Sequence, residues 1–188
     1  MFFSFQEIDE DEQVREHPYI REVLEDTHRF VGFASSIPIA VPKTFVAKSR
    51  RISKISNGVP RLTPQRYLVE AVVHPNDLPD CLFRICNTHF PRNIWPLGNT
   101  RIQAFAATQR RIALSDTATV LNLDFNSESQ PRFTGKEVRL TDRSIDQILF
   151  YPNPGIKLSV MGNGVIPMTI DGHNARWAKA RITWKEKQ

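Results

Sequence analysis

The chain has 188 residues, 40% of them hydrophobic and 24% charged, with a formal net charge of +5 and a pI near 9.5. That balance fits one soluble globular domain spanning 1–188 with its own core, and excludes a disordered tail or a disulfide-stapled miniature fold. No apolar run reaches the ~18–20 residues of a membrane-spanning helix, and the opening MFFSFQEIDEDEQ turns acidic too early for a secretory leader. A cytoplasmic location is therefore expected.

Charge is unevenly spread. Glu7, Asp9, Glu10, Asp11, Glu12, Glu16, Glu22, Glu25 and Asp26 outnumber Arg15 and Arg21 at the start of the chain. The remainder is more basic than the total, which favours a polyanionic partner such as nucleic acid. The two cysteines, Cys81 and Cys86, sit in one apolar run. On a strand, their odd spacing sends them to opposite faces, so neither a bridge nor a zinc site is expected.

In chain order, Phe2 to Ile8 reads as a buried strand. From Asp11 to Thr27, Val14, Ile20, Val23 and Leu24 recur near helical spacing, with an acidic outer face. The proline-rich stretch 37–65, with the basic cluster Lys48, Arg50, Arg51 and Lys54, predicts loops with one or two short strands. Tyr67–Val73 and Leu82–Thr88 predict paired strands about the turn His74-Pro75-Asn76-Asp77. After a loop from Pro91 to Asn99, a helix runs to about Leu114. Its apolar stripe is Ile102, Phe105, Ala106, Ile112 and Ala113, leaving Gln103, Arg110 and Arg111 solvated. Ala118–Phe125, Ser144–Phe150 and Ala175–Trp184 predict three further strands. Strand–helix–strand and strand-only pairs are mixed, so the class is α/β or α+β.

Four constellations fall at predicted strand ends, where loops hold functional groups on a rigid scaffold. Gln6-Glu7 closes the first strand; Glu7 is either a ligand for a hard cation or a solvated acid. Asn87-Thr88-His89 follows the second of the paired strands; His89 is either a phosphate or proton-handling group or an ordinary loop histidine. In Leu123-Asp124-Phe125-Asn126, Asp124 and Asn126 share one face of a strand. They either orient a water and a phosphoryl oxygen or begin an Asx-type turn. Last, Ser144-Ile145-Asp146 is followed by Asp171-Gly172-His173, in which Asp146 could support His173 or Asp171-Gly172 could be a plain turn.

The order of these motifs, with "FQEIDE", "NTHF", "LDFNSES" and "SIDQILF" as they stand here, resembles the endonuclease/exonuclease/phosphatase superfamily across nearly the whole chain, Phe2 to Trp184. The resemblance implies a four-layer sandwich: two mixed β-sheets packed face to face, with helices outside. It implies Mg2+, with Mn2+ as a substitute, bound by Glu7 and, displaced by one from the family's acid, by Asp171. It implies Asp124 as the group orienting the attacking water, Asn126 and His89 on the phosphate, and Asp146 supporting His173. Arg66 and Asn87 are implied substrate ligands, and Trp95 either touches substrate or packs. The chemistry implied is in-line attack of water on a phosphodiester, with nucleic acid as the leading substrate. A phosphatase on a small or lipid-linked phosphoester, or a catalytically impaired binding domain, is the alternative.

Three departures stand out. Asp171-Gly172-His173 replaces the family's Ser-Asp-His. Leu123 replaces the glycine before the Asp-Phe-Asn. The family's first strand, ending in asparagine, has no counterpart before Gln6-Glu7, so an N-terminally truncated domain with an unpaired sheet edge or gap is expected.

Overall fold

The computed structural model describes residues 1–5, 22–32, 37–57, 65–91, 100–126, 137–141, 145–167 and 175–184. The strands are β1 (Phe3–Ser4), β2 (His28–Val31), β3 (Ile39–Pro42), β4 (Phe45–Ser56), β5 (Arg66–Pro75), β6 (Phe83–His89), β7 (Thr119–Asp124), β8 (Val138–Arg139), β9 (Asp146–Tyr151), β10 (Ile156–Ile166) and β11 (Ala175–Trp184). One helix, α1 (Thr100–Ala113), joins β6 to β7.

Six strands form the main sheet in the order β4-β5-β6-β7-β9-β8. Its pairs are antiparallel except β6–β7, which run parallel across the α1 crossover. Period-two alternation gives this sheet two apolar faces. On one, Leu68, Cys86, Leu121, Leu123 and Leu149 pack with Ala104 and Ile112 of α1. On the other, Val69, Ala71, Val73, Phe83 and Ile85 pack with Val31, Ile39 and Val41 from the sheet β1-β3-β2, and with Ile37 just before β3. The β10-β11 hairpin continues that second layer over Ala118 and Phe150, and Trp184 packs into both clusters.

Two mixed sheets were expected, yet the described strands of the second layer pair only antiparallel, as a three-stranded sheet and a hairpin. Among the described residues β1 pairs with β3 and β11 with β10. Of the acidic helix expected over 11–27, residues 22–24 are helical and those before lie outside the described residues.

Several sequence expectations need correction. The stretch 37–65 holds β4, one of the longest strands of the chain. Its alternation is masked by Lys48, Arg50, Arg51 and Lys54, which an edge strand tolerates and which discourage pairing with another chain. Cys81 precedes β6 rather than lying within it; it and the buried Cys86 are free. On α1, Ile102, Ala106 and Ala113 are exposed, while Ala104, Thr108 and Ile112 face the sheet. Arg111, expected in solvent, turns inward: its Nε donates to both oxygens of the buried Glu70, at 3.2 and 2.9 Å. Glu70 also takes a 3.0 Å bond from Arg84 Nη1, and Arg84 Nε reaches Thr119 Oγ1 at 3.0 Å. One carboxylate thus holds two guanidiniums between sheet and helix, where a buried charge must be paired.

Gly32, at the end of β2, has φ +84°, and a Cβ there would lie 2.4 Å from Val69 Cγ1. Only glycine lets β2 close onto β5 at this point.

Candidate functional site

The second-layer face of the main sheet changes character along its strands. On β6, Phe83 and Ile85 are followed by Asn87 and His89; on β7, Val120 is followed by Asn122 and Asp124. Because β6 and β7 are parallel and in register, Asn87 sits opposite Asn122 and His89 opposite Asp124. The antiparallel β9 brings Asp146 opposite Asp124. The polar residues of three strand ends are thereby stacked at one end of the sandwich, with apolar core at the other.

His89 is the hub, and it is buried to 1% exposure. Arg66 Nη1 lies 3.0 Å from its Nδ1. A guanidinium and a carboxamide nitrogen only donate, and a carboxylate only accepts, so the Arg66 contact calls on Nδ1 to accept. Its Nε2 lies between an acceptor, Asp124 Oδ2 at 3.3 Å, and a donor, Asn126 Nδ2 at 2.6 Å. The proton on the ring therefore depends on which of these two partners Nε2 answers.

Asp124 ends β7, and its Oδ1 accepts the Asn126 backbone N–H at 2.7 Å. The Asx-type turn and the site are therefore one feature. Asn126 does not extend the strand. It takes φ 53°, which asparagine tolerates better than most residues, and folds back so that Nδ2 also donates to Phe90 O at 2.6 Å. Phe125 points the other way, into the core beside Phe90 and Phe105. Leu123 sits in the same core, so the side chain in place of the family's glycine points away from the site.

Arg101, not singled out by its motif, donates from Nη1 to Asn126 O at 2.9 Å and lies over the Phe125 ring. Burial pulls its pKa down. Its place in the first turn of a helix opposite an Asp-Phe-Asn strand end was the available signal. Asn122 was passed over too; its amide donates to Ser4 Oγ at 2.8 Å and joins β1 to the sheet.

Of the residues singled out from sequence, Arg66, His89, Asp124 and Asn126 come together in direct contact, with Asp146 beside Asp124. Asn87 is fully buried, and its amide nitrogen donates to Phe5 O, Ile37 O and Pro38 O at 2.8, 3.1 and 3.4 Å. It ties the second layer to β6 and fixes Phe5, the last described residue before Gln6-Glu7. Glu7, Trp95, Asp171 and His173 lie outside the described residues. Among the described residues no group of three or more His, Cys, Asp or Glu side chains is placed to hold a metal ion.

No protein-family model and no curated protein matches the chain. Solved structures do. The endonuclease/exonuclease/phosphatase from Bacteroides vulgatus superposes with a TM-score of 0.70 at 14% identity, covering 97% of this chain and 85% of that one. D. rerio TDP2, complexed with a single-strand DNA product, gives 0.65 at 10% identity over 92% and 80%. The mannosyl-6-phosphatase of Bacteroides thetaiotaomicron gives 0.61 at 12% identity over 98% and 100%. At these identities the likeness is one of fold, and it extends over nearly the whole chain.

Proposed function

We propose that this chain, which has the fold of the endonuclease/exonuclease/phosphatase superfamily, is a metal-dependent phosphoester hydrolase that cleaves phosphodiester bonds in nucleic acid. The observation that carries the reading is the contact of Arg66, His89, Asp124 and Asn126 at the shared end of β5, β6 and β7. Asp124 is the carboxylate that orients the attacking water and takes its proton. Arg66 and His89 are the donors this reading assigns to the charge that grows on the phosphoryl oxygens, and Asn126 holds the ring and the leaving geometry in place. His173, supported by Asp146, completes the donor set in this reading.

A divalent ion fits the donor chemistry. Magnesium rests on one or two carboxylates, water and substrate phosphate rather than on a full protein cage. The facing pair Asp124 and Asp146 offers hard oxygens of that kind, and Glu7 with Asp171 are the proposed ligands from the adjoining segments. When bound, the ion would supply Lewis-acid stabilisation of the transferring phosphoryl group.

Nucleic acid is favoured by the positive net charge and by β4, whose exposed Lys48, Arg50, Arg51 and Lys54 lead along the sheet edge to Ser56, paired with Arg66. A small phosphoester is the second reading, because the mannosyl-6-phosphatase fold aligns end to end with this chain.

Cleavage of labelled single-stranded DNA and of 4-nitrophenyl phosphate, titrated with Mg2+ or Mn2+ against EDTA, tests both. Metal-dependent DNA cleavage that falls steeply with salt supports the nuclease. Salt-insensitive turnover of the monoester alone favours the phosphatase. No turnover of either substrate with either ion removes the hydrolase reading.

A further inference from the structure

The outer face of the β10-β11 hairpin takes no part in the site, and its composition is unusual. Along β11, burial alternates strictly. Ala178, Ile182 and Trp184 turn inward to the core, while Trp177, Lys179, Arg181 and Thr183 turn outward. Their partners on β10 are Gly164, Gly162, Ser159 and Lys157. Neither strand contains an aspartate or glutamate. One face therefore carries three cations in line with an aromatic ring.

The ring is seated rather than loose. Trp177 lies across the two glycines of β10: a Cβ on Gly164 would meet its Nε1 at 2.8 Å, and one on Gly162 would meet its Cη2 at 3.6 Å. Glycines inside a strand cost stability and mark a close approach; here they make a floor for the indole. Trp177 nevertheless stays 41% exposed. It is held flat against backbone on one side and left open on the other.

The hairpin's height on the sandwich is fixed by Asn163. Its amide donates to Leu140 O at 2.8 Å, and Leu140 N donates to Ile148 O at 2.9 Å. Ile148 is the β9 partner of Asn122, one alternation from the Asp146–Asp124 pair. Gly164 and Trp177 thus lie at the end of the molecule where His89 and Asp124 lie.

We propose that this face is a binding platform for single-stranded nucleic acid, with a base stacked on Trp177 and successive phosphates on Lys179, Arg181 and Lys157. A seated aromatic beside aligned cations is the arrangement such strands need. Every base has a π-face, and the cations follow the backbone at strand spacing, about 6–7 Å between alternate residues. The platform is distinct from the hydrolytic residues, and binding to it does not require turnover.

Fluorescence anisotropy of a labelled oligothymidylate, measured in EDTA so that nothing is cleaved, tests this. Trp177→Ala should weaken binding roughly tenfold and Trp177→Phe should restore most of it. Gly164→Ala, which lifts the indole from its seat, should also weaken it. The double variant Lys179→Ala/Arg181→Ala should lower the slope of log K against log salt by about 1.4, at about 0.7 per phosphate contact. Unchanged affinity in Trp177→Ala and in the double variant overturns the platform. So does loss of binding to phosphatidylserine vesicles with oligonucleotide binding intact, which would make the face a membrane contact. A chain that binds through Trp177 but never cleaves DNA sinks the hydrolase alone; cleavage with Trp177-independent binding sinks the platform alone.

Discussion

His89 Nε2 and Asp124 Oδ2 stand 3.3 Å apart with both side chains buried to 1% exposure, and they occupy the same register position on two parallel strands. Strand pairing alone fixes the carboxylate and the imidazole relative to each other. Arg66 lies on the far ring nitrogen, 3.0 Å from Nδ1.

The first prediction concerns this pair. Asp124→Asn keeps an oxygen for the Asn126 N–H but loses the base, and His89→Ala removes the hub; His173→Ala removes the proposed late donor. Each should lower kcat for phosphodiester cleavage by roughly 10²–10⁴-fold, with an unchanged circular dichroism spectrum. Native rates in any of the three would take that residue out of the mechanism.

At the other end of the sheet, Glu70 answers two arginines. Glu70→Ala strands the buried Arg84 and should cost about 3–5 kcal/mol in urea unfolding. Adding Arg84→Met should recover most of the loss, because the apolar pair no longer buries a charge. A single variant as stable as the native chain would mean that the guanidinium escapes to solvent.

Gly32→Ala should destabilise by about 2–5 kcal/mol, combining left-handed strain with the clash on Val69. Trimming Val69 to alanine in the same chain should relieve the clash but keep the strain. Thermal midpoints of the two variants separate the contributions.

Burial pushes the Cys86 thiol up to about 12. Cys86 should resist thiol reagents at pH 8 until the chain unfolds, while the partly exposed Cys81 reacts. Because the folded value lies above the unfolded one, Cys86 adds stability that is complete below the unfolded pKa near 9 and is lost as pH rises toward 12. Unfolding midpoints across that range should therefore fall less steeply in Cys86→Ala than in the native chain.

Sequence patterning made much of the architecture legible, because β5, β6, β7 and β9 are short apolar and β-branched runs and β11 alternates. β11 fell where alternation put it, Ala175–Trp184. β4 was hidden because its outward positions carry basic residues between prolines, so edge exposure looked like loop polarity. β10 was missed because Gly162 and Gly164 interrupt the apolar run, and their reason for being there is a tryptophan on another strand. Of the candidate site, the motifs around His89 and Asp124 were legible as strand ends that become neighbours. What spacing could not show was the bond between Arg66 and His89 or the backward fold of Asn126, both of which depend on which strands become neighbours. The inward turn of Arg111 was equally hidden, since its partner Glu70 lies 41 residues away.

The parallel pairing of β6 with β7 has a consequence for how the chain reaches its working form. Antiparallel neighbours such as β5 and β6 can zip from a nearby turn, whereas pairing β7 with β6 must close the longer connection that α1 occupies. His89 and Asn126, 37 residues apart, meet through that closure. On dilution from urea, recovery of the proposed hydrolysis should therefore trail the return of secondary structure, making turnover a reporter of this closure.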